Sequence, residues 1–369
     1  MIIEDVSLNR NIRVDGIRCI AIVNVIAVHY LAYTGYYDRP LDNWGGWINS
    51  CARVIFITCV PLFLLITGYL SCSKNSFKLS RVYYYGLTRV VLSYFAAGTI
   101  CQFLIGIIDG FYFNKIIISF ITFKAAPYGW YIGLYIGLYL LMPFIFHLYR
   151  YLDNKQKEIL IITLIILTGI PCFTNSFDFA KTNFWYGEQN SHTVLFPEYF
   201  ISFYPITYLI IGCFLRDKEE SIKYIKISKL VSMTILFAFA FGTLNYIKGY
   251  RQLFPWSLET SYGSYQSIVM SICIFCCMLK LKTEGCNNKI KHLIVSMSQS
   301  SLMMYLLSYI PDRIYYHFFN KLIDSDLYRC LLYLPTIIIL IIINYIFALP
   351  INRLVTEIST KIKKYMYHV

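Results

Sequence analysis

Arg18 and His29 stand eleven residues apart inside one apolar run, VDGIRCIAIVNVIAVHY, and Asp15 lies three residues before the arginine. An imidazole titrates near neutral pH and can act as a base or a nucleophile, while a guanidinium offers a planar fork that matches phosphate oxygens. In a helix, eleven residues turn through about 1100°, within roughly 20° of three full turns, and rise about 16 Å. Arg18 and His29 therefore share one face, and Asp15 falls within about 60° of it. An ionisable side chain deep in a membrane helix costs roughly 2.5–3.5 kcal/mol on insertion scales, so it is usually kept for a partner, a cavity or a reaction.

The element carrying this stripe is one of many apolar segments. Of the 369 residues, 57% are hydrophobic and only 14% charged, and the mean hydropathy is +0.55. Soluble domains carry about a quarter charged residues, so the chain reads as an integral membrane protein. Windows of about 20 residues predict an all-α, polytopic bundle of ten spans near 17–34, 47–71, 82–108, 128–149, 159–173, 199–215, 229–247, 264–281, 293–311 and 327–350. Most of the 33 basic residues gather in alternate connections and in both tails. The opposite loops hold acids, among them Asp38, Asp42, Asp109, Glu198, Glu259, Asp312 and Asp324. The positive-inside rule then places both termini in the cytoplasm.

A net charge of +13 split among short loops is what topology alone produces, and no nucleic-acid-binding motif accompanies it. Cys273, Cys276 and Cys277 have helical spacing with no histidine nearby and read as packing, so no metal site is expected. Phosphate-loop, G-x-S-x-G and H-E-x-x-H patterns are absent, which argues against an ATP-driven pump, a serine hydrolase and a zinc protease. No linker or repeat divides the chain, so 1–369 is expected to be one membrane-embedded domain without an appended soluble domain. The longest outer loop, 174–198, is rich in aromatic residues, including Phe184, Trp185 and Tyr186.

VDGIRCIAIVNVIAVHY resembles the first helix of the acyltransferase-3 family of membrane enzymes that O-acylate bacterial glycans, with Asp15, Gly16, Arg18 and His29 on its motif. VPLFLLITGYL at 60–70 is similar to the family's second span, with Thr67 in place of a serine before Gly68. TRVVLSYF, carrying Arg89 and Tyr94, resembles the entry to the third span, and GWYIGLYIGLYLLMPFI, with Trp130, Tyr131, Tyr139 and Pro143, resembles a later one. YPITYLIIGCFL at 204–215 closes on Gly212 as its counterpart does. Two departures stand out. Gly86 occupies the first position of the family's Arg-x-x-Arg pair, with Lys78 and Arg81 as nearby substitutes. In the ninth span, SSLMMYLLSYIPD offers Tyr305 and then Ser308, where the family's Tyr-Leu-x-His pattern has a second histidine.

The resemblance implies an acyl group, most plausibly acetyl, moved from acyl-CoA (acetyl-CoA) as co-substrate to a hydroxyl of a cell-surface polysaccharide or its lipid-linked precursor. On that reading His29 is the base or a transient acyl carrier and Arg18 binds donor phosphates. Asp15 holds Arg18, and Arg89, Trp130 and Tyr131 contribute to donor or substrate binding. Arg89 and Arg53 could equally pair with acids inside the bundle, and Trp130 and Tyr131 could equally anchor the interface. The expected partners are the donor, the glycan acceptor and the bilayer, with no bound cofactor and no nucleic acid, and self-assembly into a homo-oligomer left open. A polytopic transporter or flippase is the main rival, since apolar spans with polar interiors also describe carriers. Neither inverted repeats nor broken helices are evident in the sequence.

Overall fold

A computed structural model describes residues 10–72, 85–177, 194–283 and 285–367, so Lys78, Arg81 and the aromatic residues Phe184, Trp185 and Tyr186 lie outside the described residues. The fold is all-α. In chain order the helices are α1 (Ile12–Tyr33), α2 (Trp44–Phe56), α3 (Cys59–Ser71), α4 (Thr88–Asp109), α5 (Phe113–Ile121), α6 (Trp130–Tyr151), α7 (Asn154–Thr174) and α8 (Tyr204–Asp217). They continue with α9 (Glu219–Lys223), α10 (Ile227–Lys248), α11 (Tyr265–Leu279), α12 (Asn288–Leu307), α13 (Tyr309–Leu322), α14 (Asp326–Leu331) and α15 (Tyr333–Tyr367).

Among the described residues, eight helical stretches are long and apolar enough to cross a membrane, or nine if the bent pair α12–α13 is one span. The window at 199–215 yields α8, whose fourteen residues extend only about 21 Å, short of a hydrocarbon core of roughly 30 Å. Among the described residues, eight or nine of the ten expected spans thus reach full length.

The chain forms two compact units. The first comprises Met1–Lys74, Tyr149–Val295 and Ile323–Leu334, and the second Asn75–Leu148, Ser296–Leu322 and Pro335–Val369. In the first unit, α2 and α3 together make a 28-residue span of which 67% of the apolar window is buried, against 17% for α10. α2–α3 is thus a core element, whereas the outward Ile235, Leu236 and Phe239 of α10 form an apolar face suited to lipid. Gly68 of α3 lies so close to α8 that a Cβ there would overlap the Leu209 carbonyl, and a Cβ on Gly212 would overlap the carbonyl of Leu65. The two glycines that resemble the family pattern therefore form one reciprocal backbone contact.

Two spans are broken at a hydroxyl residue followed three positions later by proline. Between α2 and α3, Pro61 has no N–H for the Ile57 carbonyl; the Thr58 N–H and Oγ1 turn back to the Ile55 carbonyl at 3.2 and 2.6 Å. Between α12 and α13, in the second unit, Pro311 plays the same part, and the Ser308 N–H and Oγ reach the Tyr305 carbonyl at 3.4 and 2.9 Å. The second break bends the chain by 64°. Broken helices, not evident in the sequence, are present at these two positions.

Two acids expected in outer loops are buried, Glu259 in the connection between α10 and α11 and Asp312 within α13. Glu259 is 1% exposed in the first unit and pairs with buried Lys248, while Asp312 is buried in α13 of the second unit and accepts from the Tyr128 hydroxyl at 3.1 Å. Burying Glu259 as an ion pair avoids the cost of an isolated buried charge.

Candidate active site

In the first unit, α1 begins at Asn11, whose side chain accepts from the Arg13 N–H at 3.1 Å and so satisfies one of the helix's free amides. One turn on, Asp15 is buried, and its Oδ1 accepts from Arg18 Nη1 at 3.1 Å. Asp15 and Arg18 are thus paired. A second arginine joins them: Arg10 donates through Nε to Oδ2 at 3.0 Å and through Nη2 to Oδ1 at 2.7 Å. Arg10 reads in the sequence only as one more basic residue beside the first span, because it lies before the cap of α1, outside the helix's periodicity.

Asn24, buried among the apolar residues of α1, donates to the Ile55 carbonyl at 3.3 Å and to Thr58 Oγ1 at 3.1 Å. It fastens α1 to the break between α2 and α3. His29 follows five residues later, half-buried, in the last two turns of α1. The end of the helix is held by Tyr30, whose hydroxyl donates to the Arg329 carbonyl at 2.6 Å, and by the Arg329 guanidinium, which reaches the carbonyls of Thr34 and Ile323. His29 is therefore carried on a helix clamped both above and below it.

Arg53 has a different setting in the same unit. It is 2% exposed, with Nε donating to the Tyr37 hydroxyl at 3.0 Å and Nη2 to the Thr260 carbonyl at 3.1 Å. Its guanidinium carbon lies 4.4 Å from the Phe254 ring centroid and 5.4 Å from that of Trp256. Neutral acceptors and aromatic faces, not an acid, thus accommodate this buried cation among the described residues. The arrangement pins the segment after α10 to α2. Beside it, buried Tyr36 shares a 2.8 Å hydrogen bond with Ser50. Burial raises the pKa of this phenol, which keeps it neutral.

Arg89, Trp130 and Tyr131 belong to the second unit. Arg89 in the first turn of α4 donates through Nη2 to the Gln299 carbonyl and to Asn352 Oδ1, each at 3.0 Å. Position 86, where a family arginine would precede it, is closed: a Cβ on Gly86 would overlap the Tyr139 hydroxyl. Trp130 at the start of α6 is exposed, while Tyr131 is buried and meets Tyr305 edge-on at 6.2 Å between centroids. The Tyr305 hydroxyl donates to the Tyr128 carbonyl, consistent with a packing role. Among the described residues, no group of three or more His, Cys, Asp and Glu side chains gathers as metal ligands would.

On α1, Arg18 presents a guanidinium and His29 an imidazole about 16 Å further along the helix. No curated relative and no solved structure matches the chain. The model of the acyltransferase-3 family, described as an acyltransferase domain, matches residues 11–353, from the cap of α1 well into α15, and the chain belongs to that family of membrane acyltransferases.

Proposed function

We propose that the protein moves an acyl group, most plausibly acetyl, from acyl-CoA to a hydroxyl of a cell-surface polysaccharide or its lipid-linked precursor, working from the cytoplasmic (inner) membrane. The observation that carries this reading is the Asp15–Arg18 pair on one helix with His29. Basic residues in alternate connections support a cytoplasmic start of α1, which sets Arg18 where a cytoplasmic donor arrives and His29 towards the far side. Arg18 offers its fork to the donor's phosphates, and the roughly 16 Å to His29 compares with the reach of a pantetheine arm.

In the direct route, a His29 nitrogen takes the proton of the acceptor hydroxyl as its oxygen bonds to the thioester carbonyl carbon. The tetrahedral adduct collapses with cleavage of the carbon–sulfur bond, and the leaving thiolate takes the proton back from the imidazolium. In the carrier route, the imidazole nitrogen attacks the thioester, releases the thiol and then passes the acyl group to the hydroxyl. Arg89, Trp130 and Tyr131 serve donor or acceptor binding on this reading. The 64° bend at Ser308 is a feature that carriers also use, but a carrier has no need of the family's acyl-transfer domain.

The test is NMR of the surface glycan from cells lacking the protein, complemented with wild type or with His29→Ala. Acyl signals should vanish on deletion and return only with wild type. Their return with His29→Ala would overturn the role of the histidine.

A further inference from the structure

We infer that a cavity between α4 and α5, in the second unit, binds a membrane phospholipid, with the phosphate at Lys115 and the first methylene groups against Ile105 and Ile116. α5 consists of Phe and Ile apart from Asn114, Lys115 and Ser119, yet none of its residues is buried. It runs back along α4 and is fastened to it at two points. Phe111 packs on Gly106 and Phe120 on Gly98, each so closely that a Cβ on the glycine would overlap the ring. At the second point the Tyr94 hydroxyl also donates to the carbonyls of Ser119 and Phe120, at 3.2 and 3.1 Å. Gly98 and Gly106 are separated by about 12 Å of helix, so α5 extends about that far from the Asp109–Arg313 ion pair towards the middle of the span. Phe113, Ile117, Ile118 and Ile121 point outward along this path, a surface suited to lipid.

Between the two points lies a cavity of about 380 Å³, with Ile105, Asp109, Lys115 and Ile116 in its lining. That volume is in the range of small-molecule sites, roughly 300–1,000 Å³, and accommodates a glycerophosphate with the start of its chains. Its two charged residues differ. Asp109 is matched, because Arg313 reaches both carboxylate oxygens at 3.1 and 3.2 Å. Lys115 Nζ lies 4.3 Å from the Tyr112 ring centroid, and no carboxylate pairs with it among the described residues. Lys115 is therefore the charge available to a ligand. An ammonium at the mouth and isoleucines within fit an anion carried on an apolar chain, whereas a soluble anion gains nothing from Ile105 and Ile116. Lipid binding there is independent of the acyl donor and acceptor.

The experiment is native mass spectrometry of the purified full-length protein in detergent, titrated with phosphatidylglycerol or with a diacylglycerol of the same chains, which lacks the phosphate. Wild type should prefer phosphatidylglycerol. Lys115→Ala should weaken phosphatidylglycerol about five-fold, the effect of one cation beside a lipid phosphate, and leave diacylglycerol unchanged, while Lys115→Arg should keep the preference. Lys124→Ala, which removes an exposed lysine outside the cavity lining, should change neither lipid. Ile105→Trp, which fills the cavity, should weaken both. Equal binding of the two lipids by wild type overturns the site, as does an equal loss in Lys115→Ala and Lys124→Ala. Displacement of the lipid by inorganic phosphate would overturn it too, because the chains would then contribute nothing. If Ile105→Trp does not fold, the exposed Lys115 series decides alone.

Discussion

Thr58-Cys59-Val60-Pro61 in the first unit and Ser308-Tyr309-Ile310-Pro311 in the second carry the same local chemistry, yet only the second bends its helix by 64°. In both, proline withdraws one amide and a hydroxyl side chain returns to the carbonyl three residues back. The difference lies in the neighbours. Asn24 donates to both the Ile55 carbonyl and Thr58 Oγ1, so the first break has a tertiary partner on its polar groups that keeps α2 and α3 in one span. At the second break, Tyr305 and Asp312 on either side of Ser308 both engage Tyr128, through its carbonyl and its hydroxyl. A proline permits a break, and the polar groups around it set the angle.

The sharpest way to break this comparison is Asn24→Leu. Losing the two hydrogen bonds to the Ile55 carbonyl and to Thr58 Oγ1, at about 0.5–1.5 kcal/mol each, should cost about 1–3 kcal/mol, read as a lowered melting temperature in detergent. It should also carry a loss of acyl transfer, because α1 is no longer fixed against α2–α3. In a Pro61→Ala background, where a regular helix can form, the same change should cost less, with a coupling of at least about 0.5 kcal/mol in a double-mutant cycle. Additive costs would mean that Asn24 serves something other than the break.

Pro311→Ala should come next in effect. Restoring the amide should reduce the 64° angle in a structure of the variant, whereas Pro61→Ala should leave the path of α2–α3 close to its present one. The smallest effects are expected from the hydroxyls. Thr58→Val and Ser308→Ala each remove one side-chain hydrogen bond, worth about 0.5–1.5 kcal/mol. Thr58→Val should be the costlier because Asn24 loses a partner with it.

The α1 stripe was legible because its spacing is local: Asp15, Arg18 and His29 lie on one helix, and the distance between them follows from helix geometry alone. Arg89 on α4 and Trp130 and Tyr131 on α6 lie on helices as the sequence predicts, but the partners of Arg89 and Tyr131, namely Gln299, Asn352 and Tyr305, come from far along the chain, where no sequence period reaches. The burial of Glu259 and Asp312 is not legible because hydropathy averages over a window and treats an isolated acid as an exposed end. Lys248, eleven residues before Glu259, and Tyr128, far upstream of Asp312, make those positions habitable. The breaks escaped for the same reason: Pro61 and Pro311 were visible, but an apolar window is blind to backbone direction.

The contact between α3 and α8 bears on how the protein is made. α8 has fourteen residues, nine of them buried, and Gly212 meets the α3 backbone without room for a methyl group. A segment so short is a weak candidate to leave the translocon for lipid by itself. α3 emerges from the ribosome more than a hundred residues earlier and is already in place as a docking surface when α8 is synthesised. Enlarging Gly68, which removes the surface that α8 docks on, should therefore be felt first as a biogenesis defect, in the yield of inserted protein.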